Sequence, residues 1–463
     1  MTSRDVALLE TLWSALDFGA RGPVGPSVEL SGAPGLPSAY DVGSFATATI
    51  AAATAAVAAA LAARSGERLR SVHVDRGHAS VAFRCERFVS AQGWTLPPVW
   101  DPIAGDYPAR DGWIRLHTNY RNHRDAVLRV LGCAGSRDAV ERAARTWSAE
   151  DLEAAVVAEG GCAARLRTAA EWAAHPQGVA VSREPLFALT TRSADPPSLG
   201  PERGAPLAGI RVLDLTRVMA GPVCTRLLAA YGAEVLRIDP PGFEEVAALL
   251  PEMTAGKRRA ALDLREASGR SAFERLVAGA HVMVHGYRPD ALDRLGYGAA
   301  RRRELNPALI DVSHDAYGWT GPWAHRRGFD SLVQMSTGIA DAGRRAAGAD
   351  KPVPLPAQAL DHGCGFLLAA GACRALARLL VENRASEVRL SLARTAKLLT
   401  DLGESGDLAG PEAPAADVDR WCETAATAWG PIRRVRCPGR IDGLVPQWTI
   451  PAGPLGADAA AWS

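Results

Sequence analysis

Gly209-Ile-Arg-Val-Leu-Asp-Leu215, then Gly221-Pro222, then Ala233-Glu-Val-Leu-Arg-Ile-Asp239 decide the fold class of this 463-residue chain. The first run is apolar with little alternation, as in a strand buried on both faces. Pro222 suits a first helical turn, and the helix it opens runs through Ala230. The second strand stops at Pro240-Pro241-Gly242. Strand, helix and strand in that order form a βαβ unit, so the strands are predicted parallel. Further strands are predicted at 260–264, 281–285 and 309–312, separated by helical stretches. The expected class is α/β, with a parallel sheet and helices on its faces.

Downstream, Pro352-Val-Pro-Leu-Pro-Ala-Gln-Ala-Leu-Asp361-His-Gly-Cys-Gly-Phe-Leu-Leu-Ala-Ala370 joins a Pro-stiffened run to a long Ala/Leu helix. It delivers one carboxylate, Asp361, to the helix start. Free N–H groups and the positive end of the helix dipole there favour the ionised form near neutral pH. Such a group suits a nucleophile, and Gly363, Cys364 and Gly365 would let a bulky substrate come close. Asp is also a favoured N-cap, so the pattern equally fits a carboxylate that only caps. His362 would orient the carboxylate, gate a pocket or serve the packing.

The first half echoes this order. Tyr40-Asp41-Val-Gly43 opens an Ala-rich helix and Arg70-Ser-Val-His-Val-Asp75 reads as a strand, as Leu360-Asp361-His-Gly363 and Glu387-Val-Arg-Leu-Ser-Leu392 do downstream. Two Ala-rich helices match by composition alone, so the repeat is weak and leaves a role for Asp41 open. Residues 46–63 are long enough to span a membrane, but Ala and Thr are too weakly apolar to favour insertion over a buried helix. Residues 1–20 pattern as an amphipathic helix and 21–40 as a Gly/Pro/Ser-rich connector. Asp111-Gly-Trp-Ile-Arg-Leu-His117 reads as a turn into a strand, and helices are predicted at 123–131 and 149–159. The expected division is a helical segment with a weak copy of the Asp-helix unit (1–98), a small α+β domain (99–192), a linker (193–206), an α/β domain (207–400) and a C-terminal extension (401–463).

Composition excludes several partners. A net charge of +1 gives no electrostatic case for nucleic acid or an anionic membrane. The eight cysteines show no C-x-x-C and no Cys/His spacing that suits zinc, so no metal site is expected and reduced cytoplasmic thiols fit best. Acidic residues flank the short apolar run at the N-terminus, which does not read as a signal peptide. Asp239 at the end of the second strand invites a nicotinamide reading, but Thr216-Arg-Val-Met-Ala-Gly-Pro222 lacks the G-x-G-x-x-G turn. Lys257-Arg258-Arg259 would meet a phosphate at the entrance to a strand, or form a solvated charge run. Arg288, in His285-Gly-Tyr-Arg-Pro289, follows a strand's carboxyl end, where ligands of open α/β sheets gather. Tyr317-Gly-Trp-Thr-Gly-Pro322 would wall a pocket or pack a loop.

Taken in order, these stretches resemble the family III CoA-transferases, a group that includes formyl-CoA and carnitine CoA-transferases and the α-methylacyl-CoA racemases. The matching elements are Pro206-Leu-Ala-Gly-Ile-Arg-Val-Leu-Asp-Leu-Thr216, Ala220-Gly-Pro222, Tyr231-Gly-Ala-Glu-Val-Leu-Arg-Ile-Asp239, Gly256-Lys-Arg258, Tyr287-Arg-Pro289, Ala316-Tyr-Gly-Trp-Thr-Gly-Pro-Trp323 and Gly328-Phe-Asp-Ser-Leu-Val-Gln334. Asp111-Gly-Trp-Ile-Arg-Leu116 and Glu171-Trp172 with His175-Pro176 are similar to the family's small domain.

The resemblance implies a Rossmann-like CoA-binding sheet domain and a smaller α+β domain, here in rearranged order. It implies an acyl-CoA:carboxylate CoA-transferase with Asp361 as covalent nucleophile. Arg217, Val218, Ala220, Lys257, Arg258, Tyr287, Arg288 and Tyr317 would bind CoA, with His362 and Gly363 accessory. The substrates would be a CoA thioester and a small carboxylic acid, with no tightly bound cofactor, and the assembly a homodimer. An acyl-CoA racemase of the same fold, or a CoA-binding protein without turnover, are the alternatives. Phe329 stands where the family's racemases carry a proton-transferring His, which disfavours racemisation by that route.

Overall fold

The computed structural model describes residues 4–16, 25–199, 204–408 and 418–463. Its main sheet has seven strands. Counted from Arg211–Leu215, through Glu234–Asp239, Lys257–Ala261, Val282–His285, Ile310–Asp315 and Arg384–Ser391, the parallel strands lie in the order 3-2-1-4-5-6. Ala188–Ser193 adds an antiparallel edge beside Arg384–Ser391. Val212, Leu213, Val235, Leu236, Met283 and Val284 are buried, as continuous apolar runs between two helical layers require.

The strand Lys257–Ala261 begins earlier than the predicted 260–264, so Lys257 and Arg258 lie within it rather than at its entrance. Its free edge is covered. The Arg259 N–H donates to Asp458 Oδ2 and the Asp458 N–H donates to the Arg259 carbonyl, each at 2.7 Å.

Two 24-residue helices, Val42–Ser65 and Ala359–Glu382, pack on each other, and Ala220–Ala230 packs on the second. Both long helices have the length and composition to cross a membrane. Inside this protein their most apolar windows are 94% and 83% buried, because neighbours cover them on several sides. A Cβ at Gly363 would lie 2.4 Å from a Phe45 ring carbon, and one at Gly365 would lie 2.5 Å from the Ala220 carbonyl oxygen. These glycines permit close helix packing, and substrate access, their expected purpose, is not what their surroundings show.

The ends of the chain are woven together. Val72–Asp75 pairs with Val28–Ser31 on one side and Arg440–Ile441 on the other. Ser38–Tyr40 pairs with Glu404–Asp407, and Ser90–Ala91 with Ile432–Val435. The expected C-terminal extension therefore completes the sheets of the N-terminal segment. Between them, Gly105–Pro108, Trp113–Leu116 and Ala163–Arg165 form a three-stranded sheet, with a separate core around Tyr107, Ile114, Val127 and Leu152. The first helix is Arg4–Leu16. Parts of the predicted N-terminal helix, the connector, the linker and the C-terminal extension, at 1–3, 17–24, 200–203 and 409–417, lie outside the described residues.

Candidate active site

Strand order reverses between Arg211–Leu215 and Val282–His285, and a crevice forms beyond the carboxyl ends of strands at such a point. A cleft of about 390 Å³ lies there. The turns 217–220 and 286–289 form one part of its wall, the small block adds Tyr120, Asn122 and His123, and Asp361 reaches it from the long helix.

Asp361 is the third residue of its helix. The N-cap is Gln358, whose side chain makes no capping bond. The Leu360 and Asp361 N–H groups donate instead to Asp330 Oδ2 at 2.8 and 3.0 Å. Gln334 Nε2 donates to Asp330 Oδ1 at 2.5 Å and fixes it in place. Asp330 thus does the work of the cap, and the reading of Asp361 as a cap is overturned. Asp361 is 9% exposed, and its carboxylate makes no hydrogen bond to a described residue.

Burial, then the charges of Asp330 and Glu86, push the Asp361 carboxyl well above the usual carboxylate range. The expected stabilisation by the helix dipole is outweighed, because desolvation and a second carboxylate act against ionisation together. Asp330 is also raised by burial, but its donors favour its charged form. Burial thus favours a shared proton in the pair, and the bonds that Asp330 accepts favour its charged form.

His362 points away from the cleft. Its Nε2 lies 3.1 Å from Glu86 Oε2, and its ring stacks on Phe83 at 5.4 Å between centroids. It neither orients Asp361 nor gates the cleft. Cys85, Glu86 and His362 bring possible ligand atoms within 4.8 Å of one another. The Arg226 guanidinium, donating to Cys85 Sγ at 3.5 Å, would oppose a cation there.

Four guanidinium groups, from Arg217, Arg288, Arg326 and Arg327, line the cleft, a balance that suits a polyanionic ligand. Arg217 lies over the Phe243 ring, 3.8 Å from its centroid, and donates to the Tyr287 hydroxyl at 3.3 Å. Next to it, Val218 has φ 61°, a left-handed conformation unusual for a β-branched residue. Its N–H donates to Glu245 Oε2 at 3.1 Å, and Glu245 also accepts from Arg237 Nη2 at 2.9 Å and the Tyr120 hydroxyl at 2.8 Å. One carboxylate thus holds the strained turn and ties the small block to it.

Of the expected CoA-binding residues, Arg217, Val218, Ala220, Tyr287 and Arg288 line the cleft. Three others do not. Lys257 is fully buried, donating to Asp214 Oδ2 at 3.0 Å and the Pro222 carbonyl at 3.2 Å. Burial, opposed by Asp214, lowers its pKa to about 8. Arg258 donates to the carbonyls of Ala461 and Ala459 at 2.7 and 3.2 Å, beneath the C-terminal tail. Tyr317 is packed behind the cleft with its hydroxyl 3.1 Å from Ser336 Oγ. Asp239 is held bidentately by Arg237 at 2.8 and 3.0 Å, so the carboxylate of the discarded nicotinamide reading has a structural partner.

Tyr120, Asn122, His123, Phe243 and the pair Arg326-Arg327 were missed by sequence reasoning. Only the adjacent arginines carried a local signal. Phe329, in the place of the racemases' His, is sandwiched among rings, with His117 at 3.8 Å and His123 at 5.9 Å between centroids.

Comparison with known proteins gives the site a context. Residues 207–420 match CoA-transferase family III. The chain is 37% identical over 152 residues to acetyl-coenzyme A transferase nodX of Hypoxylon pulicicidum, covering 32% of this chain and 26% of that protein. It is 30% identical over 200 residues to formyl-CoA:oxalate CoA-transferase of Escherichia coli O81 (strain ED1a), covering 40% and 47%. It is 33% identical over 184 residues to the probable fatty acyl-CoA transferase Rv3272 of Mycobacterium tuberculosis, covering 37% and 46%. A crystal structure of Rv3272 aligns at 30% identity over 42% of this chain and 57% of that chain, with a TM-score of 0.39. The chain spans less than half the length of each of these curated relatives. The stretch similar to CoA-transferase family III thus covers 214 of the chain's 463 residues.

Proposed function

We propose that this protein is an acyl-CoA:carboxylate CoA-transferase with Asp361 as its covalent nucleophile. The observation that carries this is an unbonded carboxylate, relieved of capping by Asp330, at an arginine-lined cleft on the switch point of the sheet. The arginines would take the phosphates of CoA, and the strained turn at Val218 would bring backbone close to the ligand.

Asp361 first releases its proton to solvent through the cleft, and its carboxylate then attacks the thioester carbonyl. A C–O bond forms, the C–S bond breaks, and CoA leaves as thiolate, giving a mixed anhydride. The thiolate then attacks the aspartyl carbonyl and releases the donor carboxylate, leaving an aspartyl-CoA thioester. An acceptor carboxylate attacks that thioester, expels the thiolate and forms a second anhydride. The thiolate takes the acceptor acyl group and Asp361 is regenerated. Each step exchanges groups of similar reactivity, and the raised pKa gives Asp361 the basicity of a strong carboxylate nucleophile.

A panel of acyl-CoA donors and small carboxylic acids, read by mass spectrometry of the CoA products, tests this reading. Transfer that Asp361→Asn abolishes is expected. Unchanged transfer in that variant, or none with any pair, argues against it. A second reading has an observation of its own. His123 lines the same cleft, and its pKa is lowered to about 4 by burial and Arg327, which keeps it neutral as a base. If it exchanges α-protons with Asp361, a chiral acyl-CoA incubated in heavy water gains deuterium without transfer.

A further inference from the structure

A second, smaller pocket of about 180 Å³ shares none of the residues that line the reactive cleft. Three parts of the chain build it. Pro352, Pro354 and Pro356 stiffen the run that leads to the long helix, and a proline has no N–H with which to close on its neighbours. The run is pinned instead at two points, the Val353 N–H donating to the Ala340 carbonyl at 3.1 Å and the Leu355 N–H to Gln334 Oε1 at 2.8 Å. The helix Asp330–Ser336 supplies Ser331, Gln334 and Met335, whose spacing of three and four places them on one face. In the strand Trp113–Leu116, Ile114 and Leu116 enter the core of the small block, so Arg115 between them comes out on the opposite side, at the pocket.

The walls are mostly apolar, with Trp100, Met335, Ala340, Pro352 and Leu355 among them. Hydrogen-bond donors border this apolar space. Ser331 is 6% exposed, and its Oγ is buried without a hydrogen-bond partner among the described residues. The Arg115 Nε is orphaned in the same way, while its Nη1 donates to Asp106 Oδ1 at 2.7 Å and its guanidinium lies over the Trp100 ring, 5.3 Å from the centroid. The Gln358 side chain, relieved of capping by Asp330, bonds to no described residue. Arg87, exposed at the pocket's edge, has no hydrogen bond or ion pair to a described residue.

These groups define the occupant. A buried hydroxyl and a buried guanidinium N–H without partners call for an acceptor. Two guanidiniums face one lining carboxylate, Asp106, so the acceptor is favoured as an anion. Water would satisfy the hydroxyl but makes no use of the apolar walls. The volume lies below the roughly 300–1,000 Å³ of sites for drug-sized ligands, so the occupant has a few carbon atoms, and CoA is too large.

We propose that this pocket binds a small carboxylic acid, its carboxylate accepting from Ser331 Oγ, the Gln358 amide and Arg87, and its short apolar body lying against Trp100 and Leu355. The site is separate from the cleft in which an acid would react, and binding there does not depend on the transfer chemistry proposed above. Gln334, which lines the pocket, also donates to Asp330 Oδ1, so the occupant sits one side chain away from the acid that caps the nucleophile's helix.

Isothermal titration calorimetry of the full chain with butanoate, without CoA, tests the site, with butanamide as the uncharged comparison. One butanoate per chain is expected, and butanamide is expected to bind about tenfold more weakly. Arg87→Ala and Ser331→Ala should each weaken butanoate by about tenfold, through loss of one charge-assisted contact, and Arg288→Ala in the cleft should leave its binding unchanged. No saturable binding, equal binding of the amide, butanoate binding that survives both pocket substitutions, or its loss in Arg288→Ala overturns the proposal. Arg87 is exposed, so its replacement spares the core and decides alone if Ser331→Ala does not fold. Failure to trap an intermediate on Asp361 would leave these readings unchanged and would bear only on the proposed chemistry.

Discussion

Two helices of equal length lie side by side in this molecule, and the difference between them is who satisfies their first N–H groups. Val42–Ser65 is capped from its own chain neighbour, Asp41 accepting from the Ser44 N–H at 2.9 Å. Ala359–Glu382 is capped from outside, by Asp330, which leaves Asp361 without a partner in the first turn. A carboxylate that caps a helix is held there by its bonds. A carboxylate whose capping duty has passed to another residue is free to react.

The contrast is broken most directly by truncating each acid. Asp361→Ala should lower kcat/KM for CoA transfer by about 10⁴-fold or more, as expected for a covalent nucleophile. Asp41→Ala should leave it within about twofold, by the free-energy scale on which a tenfold change is 1.4 kcal/mol. Equal losses in the two variants would undo the assignment. The arginines offer a second contrast. Arg288→Ala or Arg217→Ala should raise KM for acyl-CoA about tenfold, by loss of one charge-assisted contact. Arg258→Ala, under the C-terminal tail, should leave KM unchanged. Steady-state kinetics read both.

Stability separates the same groups with the opposite sign. Burial and Asp330 raise the folded pKa of Asp361 above its unfolded value of about 4. The stability its carboxyl contributes is therefore fully present below about pH 4 and is lost as pH rises through the folded pKa. Asp361→Asn mimics the protonated form. It should raise Tm at neutral pH, by about 1 °C for each kcal/mol relieved in a chain of this length, with a gain that shrinks toward pH 4. Calorimetry across pH checks this, and a lower Tm at neutral pH would mean that the carboxylate is structurally satisfied. The smallest effect is expected at the other helix, where Asp41→Ala should cost about 1 kcal/mol as a lost cap.

The sheet was legible because its central strands are buried on both faces, and such strands must be apolar throughout. The strand from Arg211 to Leu215 and the helix after it fall where their residues predict. Lys257 and Arg258 misled because charges in a strand look like a solvated entrance. Pairing with Asp214 for one, and cover by residues 459–461 for the other, depend on contacts that are distant in sequence. The local pattern singled out Asp361 as a candidate, but not its freedom from capping, since Asp330 lies thirty-one residues before it. The Asp41 match shows the same limit. The two Asp-x-Gly motifs align as letters, whereas the helix ends place Asp41 opposite Gln358.

In the proposed reaction Asp361 carries the activated acid. Incubating the protein with an acyl-CoA and then hydroxylamine, followed by peptide mass mapping, reads that directly. A hydroxamate is expected on the peptide containing Asp361 and none on the peptide containing Asp41. An unmodified Asp361 peptide, under conditions where CoA transfer proceeds, would contradict it.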